Sequence, residues 1–312
     1  MTNHFVRPDV RALLEFLDNL PGPKSHEAGP VEARKMMIAG RYALDAPGRD
    51  IAVVRDLEGP DGPSGVRLYD ARESREPGPL LMFIHGGGWV IGDLETHDPL
   101  CIELAIELDL PVVAVDYRLA PESPFPAAFE DSLAAARWIA SSPEDLGRRA
   151  TGLFLAGDSA GGNLAAAVAV ALRDESADVP VIGQWLIYPA ADPARKYPSY
   201  DQFCEGFLLT KGSMDWFEES YAGPRGDWRY NPLLKGAAGL PPTFVLTAAL
   251  DPLRDQGRAY AAACIAAGVE TVYWEAEGTI HGFLNCRKAV PSAQDDLARC
   301  IDYLKPMIER AR

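Results

Sequence analysis

The 312-residue sequence is poor in cysteine and histidine, with five of each. The cysteines are odd in number and include no C-x-x-C pair, so neither a disulfide framework nor a cysteine zinc site is expected. We expect isolated reduced thiols with buried structural roles. They are Cys101, Cys204, Cys264, Cys286 and Cys300.

Long apolar stretches are also lacking. No segment approaches the ~18 apolar residues that a membrane-spanning helix requires. The first ten residues, MTNHFVRPDV, lack the apolar run of a secretory signal. We therefore expect a cytoplasmic protein that does not enter a membrane.

Basic residues are scarce relative to acidic ones, with 30 Lys and Arg against 45 Asp and Glu, for a formal net charge of −15. Nucleic acids and anionic membranes attract proteins through Lys and Arg patches, so we expect neither partner. A composition of 47% hydrophobic and 24% charged residues is ordinary for a globular protein. The length fits one large α/β domain with additions, or two smaller domains.

A serine stands at a sharp turn in the segment TGLFLAGDSAGGNL. The apolar run from Leu153 to Ala156 predicts a buried strand, and the Ala-rich run from Leu164 to Leu172 predicts a helix. A strand that turns into a helix within so few residues strains the backbone at the residue between them, here Ser159. Gly157 and Gly161 leave room for that turn because they have no side chains. The helix then directs its free N–H groups toward the serine hydroxyl.

A second strand end carries a run of glycines. The segment LLMFIHGGGW at 80–89 predicts an apolar strand that ends in His85, Gly86, Gly87 and Gly88. Alone, a G-x-S-x-G pattern is a weak signal in a chain with 28 glycines. Two independent strand-end motifs in one chain are a strong signal, and together they indicate one shared site.

These motifs resemble those of the hormone-sensitive-lipase-like (HGGG) branch of the α/β-hydrolase carboxylesterases. The resemblance covers about residues 50 to 285 in the order and spacing of that family, whereas the first 45 residues match it only loosely. It implies a serine esterase with a catalytic triad. The matching segments are HGGGW at 85–89, DYRLAPE at 116–122, GDSAGG at 157–162, DPLRD at 251–255 and HGF at 281–283.

Alternating strand and helix patterns predict an α/β fold, and the resemblance implies an α/β-hydrolase with a mostly parallel central sheet, helices on both faces and a helical cap. Segments 51–56 and 65–69, joined by the turn-rich GPDGPSG at 59–65, predict an antiparallel edge. Further strands are predicted at 112–115, 183–188, 243–248 and 270–274, and helices at 99–108, within 125–141 and at 293–310.

Two regions predict a cap over the site. Residues 9–20 form an amphipathic helix whose leucine stripe needs burial, and a second short helix begins near Pro30. Between 192 and 234 the strand–helix alternation gives way to an aromatic-rich stretch. We therefore divide the chain into an N-terminal cap segment (1–45), a cap insertion (195–230) and a catalytic α/β-hydrolase domain in two parts (46–194 and 231–312).

A serine hydroxyl is a poor nucleophile until a base accepts its proton, and a carboxylate must orient that base. Among the five histidines, His281 lies just beyond the last predicted strand, where a loop reaches back over the sheet. Asp251 directly follows the apolar run 243–250, and Asp255 is a rival one helical turn further on. The order Ser159, Asp251, His281 is the one expected of α/β-hydrolases, and it agrees with the family resemblance.

Negative charge on the ester oxygen requires N–H donors that are already in place. The candidates for this oxyanion hole are the amides of Gly87, Gly88 and Ala160, while His85, Gly86 and Asp158 are expected to support the loop. Bulky side chains near the glycine loop and in the cap predict a short apolar pocket. Its expected lining residues are Trp89, Phe203, Phe207 and Trp216, and Phe217 is a further bulky side chain of the cap.

These residues predict a serine carboxylesterase that acts through an acyl-enzyme on Ser159 and needs neither a metal nor an organic cofactor. Its expected partner is a dissolved small-molecule ester with a short- to medium-chain acyl group. An exposed last strand could pair two copies into a homodimer. Two alternatives stay open: a non-catalytic ligand-binding protein on a hydrolase scaffold, and a triad hydrolase of amides, lactones or carbamates.

Overall fold

The computed structural model describes residues 4–60 and 65–310, so the predicted turn at 59–65 lies partly outside the described residues. The strands are β1 (Val53–Leu57), β2 (Val66–Asp70), β3 (Gly78–Ile84), β4 (Val112–Val115), β5 (Ala150–Asp158), β6 (Val181–Ile187), β7 (Thr243–Leu250) and β8 (Thr271–Ile280). The α-helices are α1 (Pro8–Asp18), α2 (Ser25–Ala28), α3 (Pro30–Leu44), α4 (Leu94–Glu107), α5 (Ala127–Ala140), α6 (Ala160–Asp174), α7 (Pro198–Phe203), α8 (Lys211–Tyr221), α9 (Arg254–Ala266) and α10 (Ser292–Glu309).

The eight strands form one sheet in the order β1-β2-β4-β3-β5-β6-β7-β8. β2 runs antiparallel to both β1 and β4, and all other neighbours are parallel. This confirms the mostly parallel sheet and its predicted antiparallel edge. Parallel strands place their carboxyl ends at one edge of the sheet, which is where ligands bind in open α/β folds.

The register of the sheet brings the sequence motifs together. Ile84 at the end of β3 pairs with Gly157 near the end of β5, so the glycine run and the serine turn leave the sheet side by side. Leu250 at the end of β7 pairs with Ile280 at the end of β8. The next residues along those two strands, Asp251 and His281, are therefore neighbours as well.

Helices cover both faces of the sheet, as predicted. Along β5, Leu153 and Leu155 contribute to the core under α5, α6 and α9, whereas Phe154 and Ala156 contribute to the core under α1, α4 and α10. Fully burying a Leu or Phe side chain contributes about 1.5–3 kcal/mol, so these cores hold the sheet firmly. The loops at the strand ends thus stand on a rigid base.

The predicted apolar stripe of α1 buries Val10 and Leu13. The remaining helices, α2, α3, α7 and α8, lie beside the carboxyl edge of the sheet. α2 contacts α8 through His26 and Ser213, whose Nδ1 and Oγ atoms are 3.3 Å apart. The N-terminal segment and the region after β6 therefore touch each other. Within the described ranges, none of the helices is long and apolar enough to cross a membrane.

Candidate active site

Ser159 occupies the turn between β5 and α6 in a strained conformation. Its φ is +55° and its ψ is −117°, a combination that non-glycine residues rarely adopt. A Cβ atom on Gly161 would lie 2.0 Å from the Ile84 carbonyl oxygen, and one on Gly157 would lie 2.4 Å from the Gly161 carbonyl oxygen. Only glycine fits at either position, and this close approach lets the turn lift the Ser159 hydroxyl above the sheet.

Ser159, His281 and Asp251 form an unbroken chain of hydrogen bonds. His281 Nε2 lies 2.9 Å from Ser159 Oγ, and His281 Nδ1 lies 2.7 Å from Asp251 Oδ2. A carboxylate accepts hydrogen bonds, so Nδ1 carries the proton and Nε2 is left to accept the serine proton. Asp251 is fully buried, and its other oxygen accepts from the Leu253 N–H at 2.7 Å.

The two rival carboxylates have different partners. Asp255 lies in the first turn of α9, where it accepts hydrogen bonds from the Ser199 N–H at 2.9 Å and from Arg254 Nε at 2.9 Å. It makes no hydrogen bond to His281 in the described structure. The structure therefore brings Asp251, and not Asp255, to the imidazole.

The glycine run faces the serine across the site. Gly87 and Gly88 adopt φ values of +113° and +58°, and both line the cavity with Ala160. Within residues 4–60 and 65–310, no group accepts a hydrogen bond from the amides of these three residues. The Gly87 carbonyl instead accepts from the N–H groups of Val90 and Ile91, which closes the loop into a tight turn.

Asp158, next to Ser159, connects the serine turn to the glycine run through a hydrogen bond. Its Oδ1 accepts the Gly86 N–H at 2.8 Å and lies 3.1 Å from His97 Nε2. Burial opposes charge on both His97 and Asp158, yet their mutual attraction raises the pKa of the imidazole and lowers that of the carboxyl group. The sequence indicates a role for Asp158 but none for His97, because nothing in the order of residues shows that α4 places His97 beside Asp158.

His85 supports the loop from below. Its ring stacks on Tyr117 with centroids 4.2 Å apart, and its Nδ1 donates to the Gly86 carbonyl at 2.7 Å. Burial, aided by the nearby His97, lowers the pKa of His85 to about 4. A neutral imidazole is therefore part of the loop at ordinary pH.

A cavity of about 770 Å³ opens above Ser159, His281 and the glycine loop. That volume lies within the range typical of small-molecule sites. α8 contributes Met214 and Phe217, and the ring of Phe217 rests so close to Gly88 that a Cβ there would lie 2.2 Å from Phe217 Cγ. α1 and α3 supply further apolar side chains, among them Leu17 and Met37.

The cavity wall includes two of the expected aromatic side chains, Trp89 and Phe217, and lacks the other three. Trp89 lines it, stacked on Tyr221 at 4.6 Å, but Phe203, Phe207 and Trp216 do not. Phe203 is fully buried and packs against Phe207. On α8, Phe217 faces the cavity, whereas Trp216 packs against Phe217 with ring centroids 5.0 Å apart and does not line the cavity. The aromatic content of residues 192–234 does not indicate which of these side chains face the cavity.

The described residues do not include a cluster of side chains that could bind a metal ion. In residues 4–60 and 65–310, no three His, Cys, Asp or Glu side chains lie close enough together to hold a metal ion. The five cysteines are free, and four of them are buried.

Known proteins share this architecture. A family model described as the α/β hydrolase fold matches residues 81–285, from β3 to the segment after His281. The chain belongs to this family. It is 44% identical to the carboxylic ester hydrolase LipN of Mycobacterium tuberculosis, over 77% of this chain and 66% of that protein.

Two further relatives extend the comparison. An ethyl acetate hydrolase of Pseudomonas putida is 38% identical over 77% of each chain. The crystal structure of a thermostable esterase from Pseudomonas putida superimposes with a TM-score of 0.91, at 31% identity and 99% coverage of both chains. The predicted hormone-sensitive-lipase-like carboxylesterase is thus confirmed, and the chain is a serine ester hydrolase. The non-catalytic binding alternative is not favoured.

Proposed function

We propose that this esterase hydrolyses dissolved esters with short- to medium-chain acyl groups through an acyl-enzyme on Ser159. The observation that carries the proposal is the hydrogen-bonded series Ser159–His281–Asp251, which opens directly into an apolar cavity. Assignment of Ser159 as nucleophile, His281 as base and Asp251 as the orienting acid rests on that arrangement.

In the first step Ser159 Oγ attacks the ester carbonyl carbon while His281 Nε2 accepts the hydroxyl proton. The carbon becomes tetrahedral, and the former carbonyl oxygen takes the negative charge. The bond to the alcohol oxygen then breaks as His281 returns its proton to that oxygen. The alcohol leaves, and the acyl group remains bonded to Ser159.

In the second step water replaces the alcohol. His281 accepts a proton from a water molecule, the resulting hydroxide adds to the acyl carbon, and the bond to Ser159 Oγ breaks as the serine regains its proton. The carboxylic acid is released, and the serine is free for another cycle. Asp251 stabilises the positive imidazolium in both steps because its carboxylate is already in contact with Nδ1.

The charge on the tetrahedral oxygen requires donors on the side of the cavity opposite His281. We assign this role to the amides of Gly87, Gly88 and Ala160, which line the cavity and are not used by the described protein groups. Such donors typically contribute about 3 kcal/mol each to lowering the barrier. We assign support of this loop to His85, Gly86 and Asp158.

We further propose that residues 1–45 and 195–230 act as the cap of a catalytic domain formed by residues 46–194 and 231–312. Side chains from α1, α3 and α8 close the cavity above Ser159. Phe16 and Leu20 stand at the cavity with half of their surface exposed. The cavity is therefore enclosed near the serine and only partly covered farther out.

This shape predicts a maximum in the dependence of activity on acyl length. Each methylene buried near Ser159 adds up to about 0.8 kcal/mol, but one that reaches the half-open rim gains much less and stays in contact with water. We expect kcat/KM for p-nitrophenyl esters to rise from acetyl to about butanoyl or hexanoyl and then fall. A series from two to sixteen carbons measures this, and a maximum at twelve carbons or beyond would contradict it.

A matched pair of variants on α8 tests whether the cavity wall sets the preferred acyl length. Phe217→Ala should move the maximum toward longer acyl groups because it removes a ring from the cavity wall. Trp216→Ala, at the next position on the same helix, should leave the maximum in place.

We infer a cytoplasmic location, which the five free cysteines support because free thiols are typical of a reducing compartment.

We also infer a homodimer formed along β8. β8 is the last strand of the sheet, and an edge strand offers unpaired backbone groups to a second copy. We expect light scattering to give twice the 33.8 kDa mass of one chain. Tyr273 lies on that strand and is 37% exposed. Tyr273→Pro should yield monomers because proline has no N–H group to donate to a second strand. A monomeric wild-type protein would contradict the inference.

A further inference from the structure

A buried ion pair connects the helical wall of the cavity with the segment that carries His281. The side chains of Asp45 and Arg287 are 1% and 2% exposed. Arg287 Nε donates to Asp45 Oδ1 at 2.9 Å, and Nη2 donates to Oδ2 at 3.1 Å. The Arg287 backbone N–H also donates to Oδ1, at 3.2 Å. Two parallel hydrogen bonds between a guanidinium and a carboxylate fix the relative orientation of the two groups as well as the distance between them.

Each partner adjoins a part of the active site. Asp45 immediately follows α3, a helix that places Met37 and Leu44 on the cavity wall. Arg287 closely follows His281, and Asn285 between them also lines the cavity. The pair therefore joins a wall of the cavity to the short segment that carries the base.

Backbone contacts continue this link beyond the ion pair. The N–H groups of Lys288 and Ala289 both donate to the Leu44 carbonyl at 3.0 Å. The ammonium group of Lys288 donates to the Tyr42 carbonyl at 2.7 Å. These bonds satisfy carbonyl groups at the end of α3 that have no partner within the helix.

The other end of α3 is attached on the opposite side of the site. Arg34 donates to the Val90 carbonyl and to the Ala120 carbonyl, each at 2.9 Å, and pairs with Glu122. Val90 follows the glycine loop closely in sequence. α3 thus runs from the glycine-loop side of the cavity to the His281 side, with an arginine contact at each end.

Stability alone is a poor explanation for the buried pair. Removing two charges from water costs about as much as their attraction returns, so apolar residues of similar size often serve stability equally well. What a bidentate pair supplies is fixed geometry. A displacement of about 1 Å in a catalytic group can lower the rate about 100-fold.

We propose that Asp45 and Arg287 are positioning residues, which hold the His281 segment against α3 so that the imidazole keeps its place relative to Ser159. The proposal rests on the esterase mechanism proposed above. The ion pair touches neither the ester nor the reacting atoms, and it acts through the backbone that follows His281. Its loss should therefore lower kcat more than it raises KM.

The experiment separates positioning from stability by removing one charge or both. Arg287→Gln leaves the Asp45 carboxylate buried without its guanidinium partner and should lower the melting temperature, whereas Asp45→Asn/Arg287→Gln should recover much of that loss. We expect kcat to stay about 10- to 100-fold below wild type in both variants. The rate is expressed per active serine, counted by the burst of p-nitrophenol, and KM should change less than about threefold.

A matched control breaks a similar pair at the other end of the sheet. Asp70 is fully buried and pairs with Arg148 and with Arg75, near the amino end of β5, and neither Asp70 nor Arg148 lines the cavity. Asp70→Asn/Arg148→Gln should change the melting temperature and leave kcat per active serine at the wild-type value. Arg287→Lys keeps the positive charge but loses the bidentate contact with Asp45. Its kcat should lie between those of the wild type and of Arg287→Gln.

The outcomes are distinct. The positioning role would be overturned if Arg287→Lys and Asp45→Asn/Arg287→Gln both kept the wild-type kcat per active serine, even if their stability changed. If the double variant does not fold, Arg287→Lys alone decides in the same way. Absence of a p-nitrophenol burst and of turnover in the wild-type protein would instead contradict the proposed function.

Discussion

Replacing Ser159 by alanine should lower kcat about 10⁵- to 10⁶-fold and leave the fold intact. The hydroxyl stands on a turn at the cavity, and its only assigned hydrogen bond in the described structure is to His281, so no core contact is lost. His281→Ala should cost nearly as much, because a serine without its base is a poor nucleophile. The Ser159→Ala/His281→Ala double variant should lose little more than either single variant, since the members of a triad act as a unit.

The measurement is initial-rate kinetics on p-nitrophenyl butanoate, with circular dichroism and thermal unfolding as checks on folding. Residual activity must be compared with the uncatalysed rate, because donors and binding alone still accelerate the reaction about 10³- to 10⁴-fold. Losses that multiply in the double variant would show that the two residues act independently. That result would remove the basis for the proposed triad.

The order of the motifs along the chain indicates which residues meet, because the register of a parallel sheet sets the ends of its strands side by side. Ser159, Asp251 and His281 each follow a strand, and parallel strands end at one edge of the sheet. The pairing of Leu250 with Ile280 then sets Asp251 beside His281, and that of Ile84 with Gly157 sets the glycine loop beside the serine. Short local patterns were enough, since the sheet makes the long-range contacts.

Positions that depend on packing between segments were harder to infer. Phe203 has the size and apolarity expected of a pocket residue, yet it lies in the core against Phe207. Phe217 faces the cavity because of the rotation of α8, and that rotation is set by contacts with α2 and the glycine loop. No local pattern contains this information, because it arises from segments that are far apart in the sequence.

Buried polar partners were missed for a related reason. His97 and Asn285 both contact Asp158, but they come from α4 and from the segment after His281. The bond between Arg287 and Asp45 likewise joins residues that are 242 positions apart. A single sequence gives no sign that such residues meet, whereas glycines at a strained turn signal their role directly.

The two aspartates near the end of β7 provide the second large effect. Asp251→Asn should lower kcat about 10⁴-fold, the size of effect found for the corresponding change in serine proteases. An amide in place of the carboxylate no longer selects the tautomer with the proton on Nδ1, and it does not stabilise the imidazolium that forms when His281 takes the serine proton. Asp251 is fully buried at 2.7 Å from Nδ1, so water cannot easily replace the lost charge.

Asp255→Asn is the matched control, since it makes the same change of carboxylate to amide only one helical turn away. Asp255 accepts from the Ser199 N–H and from Arg254, and an amide oxygen can still accept one of these bonds. We expect its kcat to fall less than about tenfold, with a modest loss of stability because Arg254 loses an ionic partner. Both variants are compared by kcat on one p-nitrophenyl ester after thermal unfolding has confirmed that they fold. A larger loss for Asp255→Asn than for Asp251→Asn would show that Asp251 is not the residue that orients His281.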